Sequence, residues 1–408
     1  MRPLEIIAAP LRYKPWRARH LRLLAPDFAR DIEPECADGD HLRAAIDWLC
    51  RAQDVRDNRP DAGGVSAGWS FEDGWLPSYP ETSGYIVETF IAAAEALDRP
   101  ELIDRAHRIL DWELSIQRAD GAFPGHFGEP GSRPVVFNTG QIMHGLLAGY
   151  LQLRRPECLD AAVKAGHWLA RVQDGDGCWR QFEHRAAVHT YNTRAAWALL
   201  ATGIVVGDAA LHAAAVRNLD WALAQQTESG WFANNAFVPD RLPFTHTIAY
   251  AIRGFLECGV LLEIDRYLDA ARKAAHALAG AQRADGWLAG TYDGAWRPGA
   301  RYCCLTGVAQ MAIDWMRLDQ AAGSDEFAEA VRRALSYLKR RQRLAARDEV
   351  ARGAIAGSSP IWGAYSRFEF PNWAAKFFAD ALMMSRSGRP VPPAAIRPRA
   401  SAETMAHV

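Results

Sequence analysis

The run Gln173-Asp-Gly-Asp-Gly177-Cys-Trp179 decides the fold, because three near-copies of it recur along the chain: Gln117-Arg-Ala-Asp-Gly121-Ala-Phe123, Gln226-Thr-Glu-Ser-Gly230-Trp231 and Gln282-Arg-Ala-Asp-Gly286-Trp287. Each is Gln-x3-Gly with an aromatic one or two residues later, and Gln53 and Gln342 open weaker first and sixth copies. Successive glutamines lie 64, 56, 53, 56 and 60 residues apart. A period this long, carried nearly from end to end, marks stacked helical hairpins.

Two kinds of helix flank these turns. Stretches ending at the glutamines, such as 102–117 and 158–173, repeat apolar residues at three and four with charges on the other face, so they keep one wet side. Stretches such as 140–153, 193–206 and 247–262 are apolar nearly all round and must be enclosed. An outer ring of amphipathic helices around an inner ring of buried ones is an all-α (α/α)6 toroid. Residues 1–38 read as an irregular proline-punctuated lead-in, 39–385 as the toroid, and 386–408 as a mobile tail. No segment alternates as a strand, although the long loops leave room for short hairpins.

Composition narrows the class. The chain is 49% apolar and 23% charged with a formal net charge of −1, so no overall field favours nucleic acid or an anionic membrane. Seven cysteines without CxxC spacing fit reduced thiols in a cytoplasmic setting. The N-terminus lacks a signal-peptide core, and no apolar run is long enough to span a membrane. Oligomeric state is not legible, and no cofactor or metal is expected.

The connections are lopsided. Inner helices reach the next outer helix in a few residues (97–100, 154–156), while outer helices reach the next inner one through long loops (118–138, 227–245). Insertions that collect on one face of a repeat fold mark its binding face. Here they meet the N-termini of the inner helices, whose unpaired N–H groups and positive dipole ends favour anions.

Polar residues crowd those termini. Thr82, Asn138, Asn192 and Thr245 read first as helix N-caps, and Gly84, Gly140 and Gly307 as points of close helix approach. Glu88, His144, Tyr250, Arg253 and Lys376 sit one turn inside otherwise apolar helices. There they either pair with one another or line a polar cavity. Copies three and four look most like chemistry: His189, Tyr191, His246 and Tyr250 are proton-transfer groups beside the anion holders Asn192, Arg194 and Arg253. That set suits removal of the C5 proton of a uronic acid, leading to elimination or epimerisation. Glu81, Tyr85, Asn138, Gln141, Asp293, Arg301, Glu369 and Trp362 complete the candidate binding residues. A buried hydrogen-bond network is the plain alternative. A metal site would use Cys303 or Cys304 with His246 or His189, but no spacing supports one.

The Gln-x3-Gly-x-Trp run at 173–179 resembles the QW repeat of squalene and oxidosqualene cyclases. In plan the chain is also similar to protein prenyltransferase β-subunits and lanthionine synthetase C-type cyclases. It lacks the Asp-x-Asp-Asp acid of those terpene cyclases and any Asp-Asp-x-x-Asp run. The prenyltransferase zinc pattern does not map, and Cys304-Leu-Thr-Gly307 lacks the histidine of the lanthionine cyclases. Five segments, Pro80-Glu-Thr-Ser-Gly-Tyr85, Phe137-Asn-Thr-Gly-Gln141, Tyr191-Asn-Thr-Arg194, Thr245-His-Thr-Ile-Ala-Tyr250 and Cys304-Leu-Thr-Gly307, carry a further likeness. They resemble a bacterial group of prenyltransferase-like toroids associated with surface-polysaccharide production. That resemblance covers roughly residues 40–385 and carries no assigned catalytic residues.

The leading expectation is a carbohydrate lyase or C5-epimerase acting on a uronate-containing glycan or sugar-linked intermediate. A six-hairpin glycosidase would use two of Glu81, Glu183, Asp293 and Glu369. A terpenoid-cyclase-like enzyme would need an aromatic-walled cavity and an acid. A non-catalytic glycan binder would present Trp231, Trp287, Trp296 and Trp362 as an open platform.

Overall fold

The computed structural model describes residues 12–29, 35–129 and 131–388; the expected tail from 389 onward lies outside them. The lead-in carries a helix, α1 (Ala18–Ala29), and is not wholly irregular. His20, Leu23 and Leu24 are its buried side, at helical spacing, and Pro26 is accommodated within it.

Twelve further helices then alternate outward and inward: α2 (Asp38–Asp54) and α3 (Pro80–Ala96), α4 (Glu101–Ile116) and α5 (Val136–Leu153), α6 (Pro156–Val172) and α7 (Thr193–Val206). They continue as α8 (Ala209–Leu223) and α9 (Thr245–Leu262), α10 (Asp265–Ala281) and α11 (Leu305–Ala322), α12 (Ala328–Lys339) and α13 (Asn372–Ser387). Among these twelve, even-numbered helices are outer and odd-numbered ones inner. Tight hairpins form across the short connections, each inner helix packing on the outer helix that follows it, and the sixth pair is made by the last helix, α13, with the first outer helix, α2.

The ring is closed. Inner neighbours pack in sequence from α3 round to α13, and α13 returns to α3. Thr89 Oγ1 donates to Asp380 at 2.8 Å, and Asn372 Nδ2 donates to Thr82 Oγ1 at 2.8 Å and Ser66 O at 2.9 Å. Strands β1 (Gly68–Ser70) and β5 (Glu369–Pro371) pair antiparallel across the same seam, with β2 (Gly74–Trp75) on the other edge of β1. β3 (Cys303–Cys304) pairs with β4 (Ser358–Ser359). Both cysteines therefore sit in a strand just ahead of α11, and burial pushes the Cys303 thiol up to about 12.

The repeated glutamines explain the spacing of the outer ring. Gln117 Nε2 donates to Gly121 O in its own turn (3.0 Å) and to Ala161 O in the next outer helix (2.9 Å). Gln173 and Gln226 do the same to Gly177 and Ala214, and to Gly230 and Ala270. Gln282 reaches Ala330 O, and Gln53 joins Gly63 to Arg105. Gln342 closes the circle on Gly353 O and His41 O. All six turn glycines hold φ between +84° and +100°, the region that disfavours other residues. A Cβ at Gly177 would stand 2.2 Å from Arg217 O, and one at Gly353 2.2 Å from Ala44 O, so the turns also touch the next outer helix without a side chain between. In the first and sixth copies the glycine follows its glutamine by ten and eleven residues, which hides them from a Gln-x3-Gly pattern.

The inner ring uses small residues likewise. A Cβ on Gly84 would meet Ile142 Cα at 2.6 Å, on Gly140 Ala195 Cβ at 2.5 Å, and on Gly307 His246 N at 2.8 Å. These are the close helix approaches expected of them. The N-cap reading fails: Asn192 makes no capping bond, and helices α3 and α5 begin before Thr82 and Asn138. Thr245 Oγ1 donates instead to Ala289 O in the following long loop.

Candidate functional site

The long-loop face holds a cavity of about 1020 Å3 at the N-terminal ends of the inner helices. One aromatic from each copy reaches its wall: Tyr79, Phe137, Tyr191, Phe244, Tyr302 and Trp373. Each lies at or just before the start of an inner helix, so sixfold repetition converts one sequence position into a complete aromatic cup. Tyr85, Phe237, Tyr250 and Tyr365 thicken it. Phe137 packs edge-on against Tyr191 and at a tilt against Tyr250, with ring centroids 5.0 and 5.1 Å apart.

Two ionisable groups stand deep in this wall. Glu81, in the first turn of α3, accepts a hydrogen bond from the Tyr79 hydroxyl at 2.9 Å. Burial pushes its carboxyl up to about 7, against the opposing pull of the Tyr79 bond and of Arg194. His246, in the first turn of α9, has Nδ1 2.7 Å from Gln310 Oε1. An amide oxygen only accepts, so Nδ1 carries the proton and Nε2 the lone pair. Burial pushes this imidazole down to about 3, with the Gln310 bond acting the other way, so it is neutral. Its ring lies 4.4 Å from Tyr250 and 5.0 Å from Tyr365. Burial raises the Tyr191 and Tyr250 hydroxyls, so both stay protonated and act as donors. The Tyr250 hydroxyl is buried and interacts with that of Tyr85. At the mouth stand His184, Arg185, Arg241 and Arg367, with Asp240.

Of the expected proton-transfer residues, the structure brings Tyr191, His246 and Tyr250 to one wall, together with Glu81, Tyr85 and Asn138. His189 stands behind it: its ring stacks on Tyr191 at 4.4 Å and Nε2 meets His184 O at 3.0 Å. Asn192 donates to Glu183 Oε1 at 2.9 Å beside it. Gln141 accepts from Arg194 Nε at 3.1 Å beneath the cavity, where Arg194 lies 5.3 Å from the Tyr250 ring. Arg253 is spent on Glu257 (2.8 Å) and Asp314 (3.7 Å). Asp293 is tied to Arg297 at 2.9 Å in a surface turn, and Arg301 is exposed outside the wall. Glu369 lies in β5, and Trp362 packs at a tilt on Phe28, with ring centroids 4.8 Å apart. Two of the indoles expected in an open platform are committed elsewhere, Trp231 Nε1 to Tyr292 O and Trp296 Nε1 to Ser229 O.

Below the cup the buried charges pair. Lys376 binds Asp380, Arg317 holds both oxygens of Glu257 at 2.9 Å, and His144 meets Arg194 O at 3.3 Å. Burial would raise Glu257, but Arg253 and Arg317 hold it at about 2. Burial pushes Glu88 and Asp314 up to about 7 although Lys376 and Arg253 respectively pull them down. Of the five residues set one turn inside the inner helices, Tyr250 reaches the cavity wall, whereas Arg253, Lys376 and His144 bind other neighbours, Glu257 and Asp314, Asp380, and Arg194 O.

Tyr79, Phe137, Phe244, Tyr365 and Trp373 of the wall, and Gln310 against His246, were not among the expected site residues. An aromatic recurring at the start of each inner helix was the signal that would have found them.

Residues 76–268 match the squalene-hopene cyclase C-terminal domain, a little under half of the chain. No curated protein matches the chain in sequence. Solved structures match along most of it. An unsaturated glucuronyl hydrolase from Bacillus sp. GL1, described as responsible for glycosaminoglycan degradation, is 15% identical with a TM-score of 0.64, covering 88% of this chain and 100% of the other. An unsaturated glucuronyl hydrolase specific for heparin gives 13% identity and a TM-score of 0.69 over 87% and 98%. Cellobiose 2-epimerase from Bacillus thermoamylovorans B4167 gives 13% and 0.65 over 90% and 99%. In architecture the chain is a squalene-cyclase-like (α/α)6 toroid. Identities this low speak for the fold alone. Among the described residues no helix is long and apolar enough to cross a membrane.

Proposed function

We propose that the protein is a carbohydrate-active enzyme of lyase or C5-epimerase type, moving a proton on a uronate-containing glycan or sugar intermediate. The observation that carries this reading is the pairing, in one aromatic cup, of a neutral imidazole with a carboxyl group that titrates near neutrality. His246 Nε2 takes the C5 proton, the electron pair passes into the adjacent carboxylate, and the hydroxyls of Tyr191 and Tyr250 donate to the enolate oxygens. In elimination the pair returns to form the C4–C5 double bond while Glu81, protonated, gives its proton to the departing O4. In epimerisation Glu81 instead returns a proton to C5 from the other face. Arg185 and Arg241 at the mouth, with Arg194 below, supply the positive field that holds the anionic sugar. His189 acts through Tyr191 as a positioning residue.

A hydrolase is the second reading, favoured by the glucuronyl hydrolases among the structural neighbours. It needs a second carboxylate roughly 5 to 10 Å from the first. Glu183, Asp293 and Glu369 are off the wall, which leaves Asp240 at the mouth as the partner for Glu81. The terpenoid-cyclase reading finds its aromatic cavity, but protonating an alkene takes a strong acid, and burial has made Glu81 a weak one.

Incubation with uronate-containing oligosaccharides in heavy water separates these. Deuterium at C5, or an unsaturated product, is expected, and His246→Gln and Tyr191→Phe should abolish either while leaving binding nearly intact. Release of a reducing sugar without exchange would replace this reading by the hydrolase.

A further inference from the structure

Helix α1 and the residues leading into it carry an exposed apolar surface among the described residues. Among the described residues five large apolar side chains are exposed, and three lie here: Trp16 (56%), Leu21 (51%) and Phe28 (68%). A fourth, Leu242, stands on the lip of the cavity. The helix has two apolar stripes. His20, Leu23, Leu24 and Asp27 face the toroid: His20 packs 4.7 Å from Phe71, and Asp27 pairs with Arg343 and accepts from Ile361 N at 3.2 Å. Leu21, Ala25 and Phe28 follow one another at four and three residues along the other side, and all three are exposed.

Charge singles out the same segment. Residues 12–29 hold Arg12, Lys14, Arg17, Arg19 and Arg22 against one acid, Asp27, an excess of four positive charges in a chain whose net charge is −1. Arg12 and Arg19 are paired with Glu72 and Asp348, whereas Arg17 and Arg22 stand exposed beside the outward apolar stripe. The segment sits next to the cavity mouth, because the Phe28 ring packs at a tilt on Trp362 and the residues that follow, Ala364–Arg367, line the cavity.

We propose that α1, with the lip at Leu242, docks on an anionic lipid surface and holds the cavity mouth against it. An outward apolar stripe flanked by arginines is what an interfacial helix requires: acyl-chain contact for Trp16, Leu21 and Phe28, and phosphate headgroups for Arg17 and Arg22. The helix lies on the bilayer and does not span it, in keeping with its twelve residues. A substrate with a membrane-embedded portion would then enter without leaving the surface. The docking itself is independent of the reaction proposed above.

The test is co-sedimentation of the full chain with phosphatidylcholine vesicles, with and without about a third phosphatidylglycerol. Binding is expected on the anionic vesicles, falling steeply with added salt. Arg17→Gln with Arg22→Gln should weaken it on the order of 30-fold. Trp16→Ser, Leu21→Ser and Phe28→Ser together should abolish it with the helical circular dichroism unchanged. The arginine pair serves as the independent variant should the triple one misfold. Failure of the native chain to sediment with anionic vesicles overturns the proposal. So does binding unaffected by both variants, or a surface found instead to join two copies, seen as a dimer in analytical ultracentrifugation that the triple variant dissolves.

Discussion

Gln342→Ala tests the closure of the ring at its most exposed logical point. The side chain makes three buried hydrogen bonds, two of which join the last copy to the first, Nε2 to His41 O (3.0 Å) and Oε1 with His41 Nδ1 (2.6 Å), while the third, Nε2 to Gly353 O (2.9 Å), holds its own turn. Gln342 and His41 are both wholly buried, so water cannot replace the lost partners. At roughly 1 to 1.5 kcal/mol for each bond lost with its partner left unsatisfied, the substitution costs about 3 to 5 kcal/mol. Gln117→Ala removes two bonds from a half-buried amide and joins copies that are already neighbours in sequence, so about 2 kcal/mol is expected there. Urea unfolding followed by tryptophan fluorescence and by far-ultraviolet circular dichroism measures both. The two probes must coincide for a single free energy to apply in a chain this large. If Gln342→Ala lowers stability by less than 1 kcal/mol, or no more than Gln117→Ala does, the glutamine relay does not close the ring and the β1–β5 seam carries closure instead.

Three further outcomes follow from the geometry. If Glu81 acts as the acid, turnover falls as pH rises through about 7 and, on the other side, as His246 takes a proton near about 3; Glu81→Gln should remove the alkaline limb along with most of the rate, and an unchanged profile would exclude the residue. Gly177→Ala places a Cβ 2.2 Å from Arg217 O at φ +90°, so a loss of at least about 2 kcal/mol in unfolding free energy is expected. Glu113 is fully buried with neither carboxyl oxygen bonded, and burial alone holds its pKa well above the usual value. The folded state keeps that proton while the unfolded chain releases it near 4.5, so this group destabilises the protein progressively above that pH; Glu113→Met should stabilise by about 1 to 3 kcal/mol at pH 8 and by less at pH 4.

The outer ring was legible because its chemistry repeats with the chain: Gln, then Gly, then an aromatic, four times over at nearly constant spacing. The first and sixth copies were faint because their glycines sit ten and eleven residues on, within loops that build the seam. The cavity's location followed from loop lengths. Its wall was only half legible. Polar residues at the inner-helix starts drew attention, yet Asn192, Gln141 and Arg253 turned out to bind their neighbours, and direction around a helix axis decides between cavity and packing. Asp293 misled for a simpler reason: it sits on the correct loop but caps its own turn through the backbone of Ala295 and Arg297. Helix α1 was obscured by prolines at 15 and 26, which flank or enter the helix without ending it.

The floor of the cavity bears on which substrates the cup can hold. Three arginines and a lysine (Arg194, Arg253, Arg317, Lys376) face four carboxyl groups (Glu88, Glu257, Asp314, Asp380), a balance that would be neutral if all were ionised. It is not neutral below pH 7, because burial keeps Glu88 and Asp314 largely protonated there. The floor then carries up to two uncompensated positive charges, and two of its cations stand directly beneath the wall, Lys376 at 5.0 Å from the Tyr85 ring and Arg194 at 5.3 Å from the Tyr250 ring. A neutral sugar gains nothing from that field, whereas a carboxylate lowered into the cup does, and its arrival would in turn favour protonation of Glu88 and Asp314. Binding of a uronate should therefore take up protons near neutral pH, measurable as a buffer-dependent heat in titration calorimetry. Equal affinity for a uronate and its uncharged hexose counterpart would show the floor to be a structural clasp alone.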